Sequence, residues 1–245
     1  SLYIDFDNMI SKLSENNYLS FAYHPDLLSL GFTVKKNYFS FNVTEKIDFR
    51  FRYPKDFMEF IWKGNGALMG KEINLNFGID FSHYREYGLG YAREINDKFT
   101  VGGRLSYLYG MANIQTEKTD ITFYTDPNTF AYTLKENVVI NTSGMDSNSL
   151  KKINIADYAF KRKNNGMGIN LGSVYKCNDK LTFSASVIDL GFIKWKNAPT
   201  NYKSRNTEAS ITYQGIDINK LNDTLTTEET GKVITDSLIK IFKID

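Results

Sequence analysis

An all-β fold built from long antiparallel strands is predicted by three features of the sequence. Apolar and polar residues alternate with period two over unusually long runs, such as Tyr87 to Ile95 and Phe99 to Tyr109. Short Asn-Asp-Lys segments separate such runs. Aromatic residues (16 Tyr, 18 Phe, 2 Trp) make up 15% of the 245 residues, against only 4 Pro. Tyr, Phe, Thr and Ile favour the pleated surface of a strand, so composition and pattern agree.

The clearest unit is Tyr87 to Met111. Tyr87, Leu89, Tyr91 and Ile95 share one face, interrupted by Arg93, and Gly88, Gly90, Ala92 and Glu94 share the other. Beyond Asn96-Asp97-Lys98, Phe99, Val101, Leu105, Tyr107 and Tyr109 oppose Thr100, Gly102, Arg104, Ser106 and Gly110. Side chains alternate across a strand, and Asn and Asp tolerate tight-turn backbone angles, so the unit reads as a long hairpin. It returns 82 residues later (178 − 96 = 82) around Asn178-Asp179-Lys180. There Ile169, Leu171, Phe183 and Val187 oppose Asn170, Gly172, Ser184 and Ser186. An earlier hairpin has Phe32 and Val34, then Lys35-Lys36-Asn37, then Phe39, Phe41 and Val43. The alternation continues through Ile47, Phe49, Phe51 and Tyr53, against Asp48, Arg50 and Arg52. Further strands are expected over Ile73–Phe81, Thr119–Thr125, Phe130–Ile140 and Ser204–Tyr213, with a strand break near Ala112 and Asn113. About ten strands result, several longer than the ordinary ~5–6 residues.

Three segments read as helices. Phe6, Met9, Ile10 and Leu13 recur at helical spacing. Tyr53 to Gly66 places Pro54 near a helix start and Gly64 just past its end. Thr227 to Phe242 carries Val233, Ile234, Leu238, Ile239 and Phe242 on one side behind a threonine cap. Asn141 to Asn165, rich in Asn, Ser and Lys, reads as a long loop.

The net charge of +2, without a clustered basic face, gives no support for a nucleic-acid partner. No window holds the ~18 apolar residues of a spanning helix. The single Cys177 has no internal disulfide partner. Long one-sided strands suit either a soluble barrel or sandwich or a transmembrane barrel, and alternation is the same in both. Arms of spanning length, tyrosines and Trp195 near arm ends, and glycine mixed with charge on the other face favour an antiparallel transmembrane β-barrel. With both Asn-Asp-Lys turns on the periplasmic side, four strands between them satisfy parity. The 141–165 loop then falls outside, and the helices at 54–63 and 227–242 fall on the periplasmic side.

The segments "FRYPKDFMEFIWKGNGALMG", "YREYGLGYAREINDKFTVGGRLSYLYGMANIQTEKTD" and "VIDLGFIKWKNAPTNYKS" resemble an uncharacterised family of Bacteroidota outer-membrane β-barrels. That family is distantly FadL-like and PorV-like. Trp62-Lys63-Gly64-Asn65-Gly66 and "TVGGRL" carry the resemblance most specifically, over roughly Leu2 to Leu225. It implies the bacterial cell outer membrane and a lipid bilayer as partner. A FadL-like barrel implies about 14 strands when complete. "SLIKIFKID" looks helical rather than like a closing strand. Residues 1–245 are therefore expected to form a single barrel domain that is incomplete at its C-terminus.

No chemistry-bearing motif stands out. His24 and His83 lack metal-ligand spacing, and Cys177 has no activating neighbour. The glycine pairs lie inside strands rather than in strand-to-helix turns, so phosphate loops are excluded. Within strands, glycine makes room for bulky neighbours. No cofactor, metal or catalytic residue is expected. Arg50, Arg52, Glu86, Glu94 and Arg104 fall on the polar face as a lumen network, read as interior filling in preference to a polar pathway. Asp189 and Gly191 stand where the alternation changes phase, the mark of a strand irregularity. The expected function is non-enzymatic: a structural or partner-binding component of an envelope complex with other outer-membrane or periplasmic proteins. PorV-like association with type IX secretion is one form of this. The alternative is a FadL-like channel for passive uptake of a hydrophobic small molecule. An outer-membrane lipase or deacylase would need a Ser/His/Asp set based on His24 or His83.

Overall fold

The computed structural model describes residues 5–144, 155–160, 164–204, 210–213 and 242–244. Its frame is set by two-residue turns. β2 (Asp26–Val34) turns through Lys35-Lys36 into β3 (Asn37–Pro54), with Lys35 at φ 55°. β5 (Gly78–Asn96) turns through Asp97-Lys98 into β6 (Phe99–Thr125), and β8 (Asn164–Asn178) through Asp179-Lys180 into β9 (Leu181–Lys194). The two Asn-Asp-Lys turns share a construction. The Asn96 side-chain oxygen accepts from the backbone N–H of Lys98 (3.0 Å) and Phe99 (2.9 Å), and that of Asn178 from Lys180 (3.0 Å). Each is preceded by a register shift, at Glu94/Asn96 and Lys176/Asn178. Backbone bonds from Glu94 N–H to Lys36 (2.9 Å) and from Lys176 N–H to Lys98 (2.8 Å) hold the turns side by side at one rim.

All strand pairs are antiparallel and belong to one twelve-stranded sheet. Near the turn rim the order is β2-β3-β5-β6-β8-β9. Toward the opposite rim, β1 (Asn16–Tyr23) replaces β2 along β3, and β7 (Tyr132–Ser143) replaces β8 along β6. β10 (Thr200–Ser204) and β11 (Ser210–Tyr213) pair with β7, β12 (Phe242–Ile244) with β10, and β4 (Glu72–Asn74) with β6. All-β architecture with long antiparallel strands thus holds.

Several expected boundaries change. β6 runs through Ala112 and Asn113 without a break; a register shift at Met111 absorbs the phase change that looked like a strand end. Among the described residues three strands, not four, lie between the Asn-Asp-Lys turns, because β7 and β8 lie end to end along β6, with residues 144–163 between them in sequence. Both turns still share a rim, since β7 and β8 run in the same direction. The strand expected over Ile73–Phe81 splits at Leu75–Phe77, where the Phe77 N–H folds back to Leu75 O (2.7 Å). Within the expected loop 141–165, β7 extends to Ser143 and α3 spans Ile155–Phe160. α1 (Phe6–Ser11) is capped by Asp5, which accepts from Asn8 N–H at 3.0 Å. α2 (Lys55–Lys63) ends on Gly64 at φ 71°. Because β3 is one strand from turn to Pro54, α2 leaves the sheet at the rim opposite the turns, not on the turn side. The helix expected at Thr227–Phe242 lies outside the described residues except for Phe242, which opens β12. The terminal Phe242-Lys243-Ile244 is strand rather than helix, in keeping with its alternation.

The ladder registers align each face into rows. One apolar row reads Leu30, Phe41, Leu89, Leu105, Ile169 and Leu190; its neighbour reads Leu28, Val43, Tyr87, Tyr107, Met167 and Phe192. A row of the other face reads Ser29, Asn42, Gly88, Ser106, Gly168 and Gly191. Lys46 on β3 reaches Asp189 on β9 at 3.1 Å, although β5, β6 and β8 intervene. Four strand steps of ~4.8 Å would hold them at least ~19 Å apart in a flat sheet. The sheet therefore curls toward its polar face, leaving the apolar face convex. Among the described residues, β2 and β9 lack neighbours on their outer sides, so the curled sheet is not closed. Only eight hydrophobic residues are buried among the described residues, whereas 33 large ones are exposed.

Candidate functional site

The cross-sheet contact is the centre of the most developed polar cluster. β3 carries Lys46 on the concave phase, opposite Tyr84 of β5. The Lys46 ammonium meets Glu86 Oε2 at 3.0 Å and Asp189 Oδ1 at 3.1 Å, and lies 5.9 Å from the Tyr84 ring centre. Ser106 donates to Glu86 Oε1 at 2.6 Å. Both Glu86 oxygens are thus occupied, and the carboxylate is an ion-pair anchor rather than a free base. Lys46 and Glu86 are nearly buried, while Asp189 remains open to solvent. Asp189 reaches inward because the register shifts opposite Asn170, with Asp189 at φ 55° and its N–H donating to Asn170 Oδ1 at 2.6 Å. Gly191 then allows β9 to press against the Met167 carbonyl.

Three cavities follow one another along the concave face. One of about 670 Å³, toward the helix rim, is lined by Asp48, Arg50, Asp80, Ser82, Asn113 and Trp195 among others. The middle one, about 250 Å³, shares Ser82, Asn113 and Trp195 with it and is walled by Glu86 and Asp189. A third of about 500 Å³, toward the turn rim, shares Asn170 with the middle one and includes Arg104.

The five charged residues expected as a lumen network stand in different cross-strand rows. Arg50 lies between Ser20 and Asp80, Arg52 over Gly78, and Glu94 at the turn rim. The Arg104 stem lies against Gly88, where a Cβ would come within 2.9 Å of its Cδ. Of the five, Glu86 joins the central bridge. Asp189, expected as a strand irregularity, is its far end, and Lys46 is the member that sequence reading missed. Lys46 sits in an ordinary-looking polar phase, and only the curl of the sheet brings it to Asp189.

A second cluster lies on the convex face. His83 Nε2 is 2.6 Å from Glu45 Oε1, and His83 Nδ1 is 2.7 Å from the Tyr158 hydroxyl. Arg85 Nε donates to Glu45 Oε2 at 2.7 Å, with the Phe160 ring 5.7 Å from the guanidinium carbon. A neutral imidazole satisfies both partners by donating to Glu45 and accepting from Tyr158. Charged residues in the apolar phase of β3 and β5 were the available signal for this site. His24 pairs separately with Asp48 at 2.9 Å, and Cys177 is half-buried beside the Asn178 turn. Among the described residues, no three His, Cys, Asp or Glu side chains gather as metal ligands.

Fold and site define a strand-rich protein with a curled antiparallel sheet, an apolar convex face and a bridged polar concave face. The chain belongs to a family of unknown function (DUF5723), whose model matches residues 1–245. No curated protein and no solved structure matches it.

Proposed function

We propose that this chain forms the wall of a bacterial outer-membrane β-barrel and acts, without catalysis, as a structural or partner-binding component of an envelope complex. One observation carries the membrane part: the apolar rows are the exposed ones. Leu89 is 65% exposed, Leu105 61% and Met167 63%, in strands whose other phase is Gly, Ser, Asn and Arg. A soluble fold would turn that face inward, since apolar burial stabilises by ~25 cal/mol per Å². The rows from Tyr87 to Ile95 span eight residue steps. At ~3.4 Å per residue and ~40° tilt this is ~20 Å of height, close to the ~25 Å apolar band of such barrels. The short turns then form the periplasmic rim, and α1, α2 and the β6–β7 extension lie outside. Such a barrel requires pairing partners for the outer sides of β2 and β9, because open edges are not tolerated in lipid.

The partner-binding part rests on the helix rim. Phe6 and Met9 of α1 and Ile61 and Trp62 of α2 form an exposed apolar patch, with Phe6 and Trp62 edge to face at 4.6 Å. It lies beyond the apolar rows, where the bilayer does not cover it and a protein surface would. The resemblance to PorV-like barrels points the same way. Purification from native membranes with Ile61→Ser and Trp62→Ser is the test. The reading predicts that the variant inserts normally but loses co-purifying envelope proteins; an unchanged set of companions contradicts it.

The second reading, passive uptake of a hydrophobic small molecule, is favoured by the strand irregularity at Asp189 beside a cavity that also meets Phe192, Ile193 and Trp195. The Lys46–Glu86–Asp189 bridge, whose two carboxylates wall that cavity, weighs against an apolar passage.

A further inference from the structure

We infer that the concave face is a hydrated ion pathway along the sheet, held shut at mid-height by the Lys46 bridge. This rests on the membrane reading above. Three observations carry it. The cavities share lining residues in sequence, so they lie next to one another from the Asp48/Arg50/Asp80 end to the Arg104 end. The smallest of them, at about 250 Å³, is the one walled by Glu86 and Asp189. Lys46 spans the concave side beside it, joining β3 to β9 across three intervening strands.

The chemistry gives the gate its sign. With Lys46 in place, one ammonium faces two carboxylates and a tyrosine ring, and a passing cation must compete with a fixed charge. Lys46 is held from both sides, so the closed arrangement does not depend on a single contact. Without the ammonium, Glu86 and Asp189 face the space unpaired. Unpaired carboxylates lining a narrow polar passage attract cations and repel anions. When Asp189 leaves the bridge, Lys46 stays neutralised by Glu86 and the freed Asp189 carboxylate lines the path, so the open state is cation-selective, with alkali metal ions and small organic cations as its permeant class. Asp189 is the movable member. It is the exposed end of the bridge, sits at a register shift and is held by one backbone bond to Asn170. Glu86 is fixed by Ser106 within a regular ladder.

Planar-bilayer conductance of the full-length protein, with potassium chloride gradients for selectivity, tests this. Lys46→Ala is expected to raise conductance several-fold and to shift the reversal potential toward potassium. Lys46→Arg, which keeps the charge, is expected to stay near the wild-type level. Asp189→Asn, on the exposed end and less prone to misfolding, is expected to give a smaller rise. A Leu105→Cys background in which the native Cys177 is replaced by Ser, labelled by a lipid-phase maleimide, reports insertion independently. Labelled variants with wild-type conductance at both Lys46→Ala and Asp189→Asn overturn the gate while leaving the membrane reading intact. Failure of Leu105→Cys to label from the lipid phase overturns both.

Discussion

A methyl group on Gly191 would run into the Met167 carbonyl oxygen and come within 2.8 Å of the Gly168 Cα. Both obstacles are backbone of the paired strand and have little freedom to move. Gly191→Ala is therefore expected to lower stability by ~1–3 kcal/mol, as overpacking does. Urea unfolding in detergent measures it, and an unchanged midpoint would count against the close approach of β8 and β9. Glu136 on β7, beyond the apolar rows, makes a different residue-scale point. It is 5% exposed, and its Oε2 has no hydrogen-bond partner among the described residues. Burial raises its carboxyl pKa above the ordinary value, opposed only by the Ser204 hydroxyl. With the folded pKa raised, the native state binds the proton more tightly than the unfolded chain. Its contribution is full below the unfolded carboxyl pKa and is lost as pH rises through the folded value. Glu136→Gln should thus gain stability relative to wild type between pH 4 and pH 8, read as diverging unfolding midpoints; parallel midpoints would refute the assignment. The roles of Gly191 and Lys46 differ in how visible they are beforehand. A phase change in "VIDLG" marks the first locally, whereas Lys46 becomes a site residue through strands far away in sequence.

At the scale of elements, hairpins were legible because their signals are local. Asn-Asp-Lys turns, period-two faces and the proline–glycine punctuation of α2 each lie within a few residues of what they specify. Register shifts were not, because one extra residue at Met111 looks the same as the end of one strand and the start of another. That ambiguity produced the extra strand. It also hid that β7 and β8 are two halves of one path along β6. The placement of α2 followed from an equally non-local fact, the uninterrupted pairing of β3 with β5 from Asn37 to Arg52. α3 is an element whose position depends on side chains rather than on the ladder. Its Tyr158 hydroxyl binds His83, and its Phe160 stacks toward Arg85. Removing that hydroxyl with Tyr158→Phe should cost about 0.5–1.5 kcal/mol locally. Amide hydrogen exchange at residues 155–160 should speed up several-fold with no change in the β5–β6 ladder. Unaltered exchange would mean that α3 is held by something other than this contact.

For the whole molecule, the central feature is the inversion of the usual burial pattern. Among the described residues few apolar side chains are buried, many large ones are exposed, and the polar phase lines the concave side. Alternation in the sequence specifies two faces but not which one meets the surroundings. The direction of curl decides that, and the Lys46–Asp189 contact fixes the direction. The same contact sets an ion-paired bridge on the concave side, which weighs against an apolar passage and favours the proposed structural or partner-binding role with a gated ion path. Among the described residues, the unpaired outer sides of β2 and β9 and the exposed patch of Ile61 and Trp62 are the surfaces left to be covered.

The most direct measurement is a spin-label scan of β5 from Gly88 to Ala92 in reconstituted bilayers, reading collision with oxygen and with a water-soluble nickel chelate. The account predicts period two: labels at Leu89 and Tyr91 oxygen-accessible and shielded from nickel, labels at Gly88, Gly90 and Ala92 the reverse. Nickel accessibility that is equal at all these positions, or highest at Leu89 and Tyr91, would contradict a lipid-facing convex surface.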